Sequence, residues 1–198
     1  MPSPIEFFFD FGSGYSYFAA VEIEALAARH GREARWRAFS LGTAFKRTNA
    51  LPLTRAPLKS DYTRIDWTRI AREKGLSFQI PEGHPHAGLP ALRAFHAIDR
   101  RDPALAKRFA LEVFRLYFAG DLATDDLSEV AEVAAGLGYP KADLAAAVGD
   151  PELKAHVREV GEQAVARGVF GAPWVFVDDE PFWGWDRLPM VERRLAGA

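Results

Sequence analysis

The hydrophobic period of this chain switches at Gly12-Ser13-Gly14, and no other feature limits its possible folds as strongly. Before the switch, Ile5 to Phe11 is an apolar, aromatic run interrupted by Glu6 and Asp10, short enough to be a buried strand. After it, Phe18, Val21, Glu22, Ala25, Leu26 and Ala28 suit a helix from Tyr15 to a stop at His30-Gly31. Arg35 to Phe39 reads as a second strand. The front of the chain is thus a strand, helix, strand unit whose first turn carries small and hydroxyl residues.

Ser40 to about Ser60 holds Gly42, Asn49, Pro52 and Pro57 among several basic residues, which predicts a long irregular connection of the kind that is often functional. Helices follow over Asp61 to Glu73, Pro90 to Arg100, Pro103 to Phe118, Asp126 to Leu137, Lys141 to Val148 and Pro151 to Arg167. Trp174 to Val177 and Phe182-Trp183 flank Asp178-Asp179-Glu180 as a hairpin, and Asp186 to Leu195 closes the chain as a helix. This order matches an α/β fold with a thioredoxin-like mixed sheet and a helical insertion. Residues 1–60 and 168–198 would form the discontinuous thioredoxin-like domain, with 61–167 as the insertion.

Composition narrows the chemistry. With 198 residues, 48% of them hydrophobic, the chain can bury a full core without disulfides. It has no cysteine, which excludes thiolate nucleophiles, disulfide exchange and Cys-ligated metals among its own groups. Lys and Arg total 25 against 27 Asp and Glu, so no basic field exists to hold nucleic acid. The start, Met1-Pro2-Ser3-Pro4-Ile5-Glu6, lacks a basic stretch followed by an apolar run, and no apolar run is long enough for a membrane helix. A cytoplasmic protein without membrane partners is expected.

Three places carry candidate chemistry. Ser13 sits just before the first helix, where free backbone N–H groups and the helix dipole favour an anion; a simple N-cap role for Ser13 or Ser16 fits the same position. In Gly168-Val169-Phe170-Gly171-Ala172-Pro173-Trp174, a proline opens a strand after a Gly-rich turn, where a cis Ala172-Pro173 bond would turn the Ala172 N–H and C=O outward toward an extended ligand. An ordinary trans proline is the alternative. In Phe182-Trp183-Gly184-Trp185-Asp186-Arg187, Asp186 can cap the last helix or receive the ammonium of an amino acid.

Phe9 to Tyr17, Gly168 to Trp174 and Trp183 to Arg187 together resemble the 2-hydroxychromene-2-carboxylate isomerases and their relatives, the kappa-class glutathione transferases, in the DsbA-like branch of the thioredoxin superfamily. Asn49-Ala50-Leu51-Pro52 with Lys59, Tyr62, Asp66, Arg69, Ala71 and Gly75 is similar to the family's Asn-x-Pro-Pro loop and the helix after it. The resemblance implies a glutathione-dependent isomerase, with Ser13 in the place of a redox cysteine as donor to the glutathione sulfur and Ser16 at the second cysteine position. It implies that Ala172, before Pro173, pairs with the cysteinyl part of glutathione. Trp183, Gly184, Trp185, Asp186 and Arg187 would surround its γ-glutamyl end. Lys46, Asn49, Arg55, Lys59 and His84 would face a small aromatic carboxylate, and relatives suggest a homodimer. A kappa-class transferase or peroxidase, or a binding module without turnover, are the rival readings. Family members usually carry Pro where this chain has Gly14, a small or amide residue where it has Trp185, and an aromatic near His84.

Other motifs fall away. Gly12-x-Gly14 lacks the third glycine and the acidic residue of a dinucleotide fingerprint. No Gly-x-Ser-x-Gly elbow accompanies His84, His86 and His96, and His84-Pro85-His86 has no evident third metal ligand.

Overall fold

In the computed structural model, which describes residues 3–197, the strand before Ser13 is β1 (Ile5–Phe9). Met1 and Pro2, part of the start expected to lack a leader, and Ala198, the last residue of the expected 168–198 segment, lie outside the described residues. β1 ends two residues earlier than its apolar run because the Asp10 carboxylate turns the chain. Its Oδ1 accepts the Gly12 N–H and its Oδ2 the Leu41 N–H, both at 2.7 Å. Helix α1 (Gly14–Arg29) follows, and β2 (Ala34–Ala38) returns parallel to β1 with Phe7 opposite Trp36.

The predicted irregular stretch after β2 contains a helix, α2 (Leu41–Thr48), and a 3₁₀ turn, Leu53–Arg55. Asn49, read from sequence as a breaker, is the left-handed C-cap of α2, with φ 55°. Gly42 is tolerated in its first turn. Helices α3 (Lys59–Glu73), α4 (Leu89–Asp99), α5 (Pro103–Tyr117), α6 (Leu127–Gly136), α7 (Lys141–Gly149) and α8 (Pro151–Ala166) then run in succession. None of the described helices is long and apolar enough to cross a membrane.

Strands β3 (Trp174–Val177) and β4 (Glu180–Trp183) form the hairpin, and the sheet order is β2-β1-β3-β4. Its turn is the two residues Asp178 and Asp179, at φ 49° and 71°, so Glu180 belongs to the strand. The last helix is also shorter than predicted. A 3₁₀ turn, Trp185–Arg187, precedes α9 (Leu188–Leu195), and α9 has no side-chain cap.

The sheet is covered on both faces, which is why β1 is apolar throughout. Phe7 and Phe9 join a core with Trp36, Phe95 and Phe114, while Phe8 points oppositely to Phe39, Phe176, Ala44 and Val160. Each such phenylalanine contributes about 1.5–3 kcal/mol on burial. This two-sided packing fixes the end of β1, and with it the turn that carries Ser13.

Candidate active site

Ser13 is only 5% exposed and caps α1: its Oγ accepts the Ser16 N–H at 3.1 Å. The same Oγ donates to the Ala172 carbonyl at 3.2 Å, across 159 residues of sequence. The Ala172–Pro173 bond is cis. Cap and long-range donor are thus one hydroxyl, its oxygen serving the helix and its proton spanning the cleft. The Ala172 C=O, expected to face a ligand, is held by Ser13. Ser16 is fully buried and its Oγ has no partner among the described residues.

Gly14 is explained by its neighbour. A Cβ built there would lie 2.6 Å from Cδ2 and 2.8 Å from Cε2 and Cε3 of Trp67, so the indole lies directly on the glycine backbone. No acidic side chain stands in the first turn of α1, which leaves its N-terminal dipole open to an anion. Below the turn, desolvation pushes the Asp10 carboxyl above the usual carboxylate range, against the two backbone N–H groups that it accepts.

A cavity of about 770 Å³ opens over Ser13. Ala172, Gly171 and Trp183 bound it on the sheet side, Phe45 and Asn49 on α2, and Leu51 to Thr54 on the segment after α2. Its opposite wall is built by Trp67 from α3, by His84, and by His86 beyond the cis His84–Pro85 bond. Arg55 donates to the carbonyls of Gly83 at 3.1 Å and Pro85 at 3.4 Å, tying the 3₁₀ turn to this loop. Tyr15, also in the lining, donates to Asp66 Oδ2 at 2.8 Å, and burial with that carboxylate raises the phenol pKa.

Within the wall, His84 Nδ1 lies 2.7 Å from the Tyr117 hydroxyl, which accepts the His86 N–H at 3.2 Å. The ring of His84 meets Trp67 edge-on, with centroids 5.6 Å apart. His84 is 6% exposed, and burial, then the nearby His86, Arg64 and Arg55, lower its pKa to about 4. Thr54 Oγ1 and Trp67 Nε1 are buried in the same wall without a partner among the described residues.

Of the residues singled out from sequence, Ser13, Asn49, Lys59, His84, Ala172 and Trp183 line this cavity. Lys46, Arg55, Pro173, Gly184, Trp185, Asp186 and Arg187 are not in its lining. Arg55 braces the wall from behind. Asp186 pairs with Arg187 at 2.9 Å, and Trp185 packs on Phe18 under the Lys74 ammonium. Sequence reading missed Trp67, Tyr15, Tyr117 and Phe170 as site residues. Phe170 lay inside a motif already marked; for Trp67 the only signal was Gly14, where the absence of a side chain makes room for a large one.

A family model described as a DSBA-like thioredoxin domain matches residues 4–196. The chain is 30% identical over 197 residues to a 2-hydroxychromene-2-carboxylate isomerase of Sphingobium xenophagum, covering 98% of this chain and 99% of the relative. It is 29% identical over 206 residues to a glutathione S-transferase kappa 2 of Caenorhabditis elegans, covering 97% and 91%. A solved 2-hydroxychromene-2-carboxylate isomerase superposes with a TM-score of 0.87 at 28% identity, covering 98% of this chain and 94% of that one.

Proposed function

We propose, from the premise that this chain belongs to the DsbA-like thioredoxin family, that it is a glutathione-dependent isomerase of conjugated aromatic carboxylates. The observation that carries this reading is the meeting of Ser13 Oγ and the Ala172 carbonyl at the bottom of the cavity. With glutathione bound, the Ser13 proton turns from that carbonyl to the sulfur. The freed carbonyl can then accept a ligand N–H, so one rotation serves both partners. The relatives named isomerase and glutathione transferase support the same assignment.

A free thiol has a pKa near about 8.5, and about 1.4 kcal/mol of preference for the thiolate raises its ionisation constant tenfold. Ser13 and the open N-terminus of α1 are the sources of that preference. The thiolate pair forms an S–C bond to the electrophile, and the π electrons move to the carbonyl oxygen. The former double bond rotates as a single bond, and return of the electrons expels the thiolate. Glutathione is not consumed. The Asp186–Arg187 pair presents a carboxylate and a guanidinium side by side, matching the ammonium and carboxylate of a γ-glutamyl end. Lys59, at the mouth, suits the carboxylate of the substrate.

The test is a thiolate absorbance titration of bound glutathione, run beside turnover of an α,β-unsaturated 2-oxo acid. A lowered thiol pKa and isomerisation with full recovery of free thiol are expected. Absence of binding overturns the proposal, and steady loss of thiol to conjugate favours the transferase reading that the kappa-class relative suggests. Ser13→Cys adds a second readout, because it would be the sole cysteine of the chain. Its thiolate would attack glutathione disulfide, release one glutathione and leave a mixed disulfide visible by mass.

A further inference from the structure

We infer that His84 is the hydrogen-bond donor to the carbonyl oxygen of the electrophile, and that the site therefore selects double bonds conjugated to a carbonyl. This rests on the glutathione reading above and names the group that holds the charge the thiolate addition creates.

The Tyr117 hydroxyl has one proton, and the His86 N–H already points at its oxygen. His84 Nδ1 is the only other hydrogen-bond partner of that hydroxyl among the described residues. The phenol proton therefore goes to Nδ1, and in a neutral ring the imidazole proton is left on Nε2. Nε2 makes no hydrogen bond to the described residues, and His84 lines the cavity. An N–H on a buried ring that lines a ligand space, held in one tautomer by a hydrogen bond to the other ring nitrogen, is a preorganised donor.

Its position suits the chemistry. The Trp67 indole lies on Gly14, next to Ser13, and its edge meets the His84 ring. Ser13 and His84 line the same cavity, and we place the β-carbon of a conjugated carbonyl at the sulfur and its oxygen at Nε2. When the S–C bond forms, the C=C pair shifts and the carbonyl pair moves onto oxygen. The Nε2–H bond to that oxygen strengthens, and the proton stays on nitrogen throughout. Elimination returns both pairs, so no proton is gained or lost. Burial keeps the ring neutral, with its pKa near 4, and the Tyr117 phenol is pushed up to about 12, so neither group changes charge near neutral pH.

The test compares two electrophiles on glutathione-loaded protein: an α,β-unsaturated 2-oxo acid, and a simple alkyl iodide whose displacement develops no oxyanion. His84→Ala is expected to lower kcat for the first by ~10²-fold, as loss of one preorganised donor does. Glutathione affinity, bound-thiolate absorbance and the alkyl iodide rate should stay at parent values. His84→Gln, whose amide N–H can reach the same oxygen, should recover roughly tenfold of that loss. Tyr117 acts through His84 as a positioning residue. Nitrogen-15 NMR of the parent should show Nε2 protonated, and Tyr117→Phe should mix the tautomers and lower kcat more than it raises KM. Equal slowing of both electrophiles by His84→Ala, no slowing of either, or an Nδ1-protonated parent overturns the inference. A parent that fails to bind glutathione removes the functional reading itself, whereas the other outcomes leave it standing.

Discussion

The floor of the cavity and the wall opposite it are built on different principles. On the floor, the Ser13 oxygen is committed to the helix cap and its proton to Ala172, while Asp10 ties the turn to α2. In the wall, Trp67, His84 and Thr54 come from separate segments and leave polar atoms without a partner among the described residues. In the proposed reading, the committed Ser13 hydroxyl would hold one sulfur in one place, whereas the unpartnered wall is where a substrate would be read.

The largest effect should come from breaking the floor. Ser13→Ala removes the cap and the sulfur donor together, so both losses are expected at once. Turnover should fall by ~10²- to 10³-fold, while stability drops by only about 1 kcal/mol. Thermal unfolding and the thiolate pKa of bound glutathione, measured on the same variant, separate the two. A variant that loses the cap energy but keeps rate and thiolate pKa would leave Ser13 as a cap alone.

Acid should act first on two buried histidines, His84 in the wall and His96 behind β2. His84 and His96 both have folded pKa values lowered from 6.5 to about 4, chiefly by burial, with His96 Nε2 donating to the Ala38 carbonyl at 2.7 Å. The unfolded chain then binds more protons between about pH 6.5 and 4, so stability is lost as pH falls through that window. Each histidine contributes up to about 3 kcal/mol to that loss. On the floor, Asp10 has the opposite sign: its raised pKa penalises the charged fold, and acid relieves the penalty. Urea midpoints between neutral pH and about pH 4.5 should therefore fall steeply, and less steeply in His84→Phe. A flat profile would mean that these imidazoles are not buried neutral.

The sequence made the floor legible because its signals are local. Phe9 to Gly14 changes period within a few residues, and the Gly-rich turn before Pro173 marks the segment that meets it. The wall has no such signature, since Trp67, His84 and Tyr117 belong to α3, a loop and α5 and meet only by packing. Helix α2 was obscured for a related reason: Gly42 and Asn49 are breakers in isolation, but Asn49 is a left-handed cap, and Ala44 is buried with Val160 and Ala164 of α8. Asp186 looked like a helix cap, yet a 3₁₀ turn intervenes and the carboxylate turns to Arg187.

The seam between floor and wall is Gly14 under Trp67. Gly14→Ala places a Cβ 2.6 Å from the indole, which must move. Overpacking of this kind costs about 1–3 kcal/mol, and here it should also displace the wall from Ser13. Trp67→Leu in the same chain should return part of the lost stability without restoring turnover, a coupling that a double-mutant cycle reads directly. If Gly14→Ala is neutral in both stability and rate, the indole is loosely held and the wall is not positioned from the floor.

The smallest effect should come from the brace behind the wall. Arg55 is exposed and donates to two backbone carbonyls, of Gly83 and Pro85, on either side of His84. Its removal leaves those carbonyls open to water, so Arg55→Ala should cost no more than about 1 kcal/mol of stability. What it loosens is the loop that carries His84, and none of the floor residues proposed to hold glutathione. Glutathione affinity should therefore be unchanged, while KM for the conjugated substrate rises by roughly two- to fivefold, the equivalent of about 0.4–1 kcal/mol. Arg55→Lys is the discriminating control, because a point charge keeps the electrostatics but cannot span two carbonyls as a planar fork does. If Lys restores KM fully, Arg55 acts on a substrate carboxylate through its charge. If Lys behaves as Ala does, the guanidinium acts as a brace, and the wall owes its shape to it.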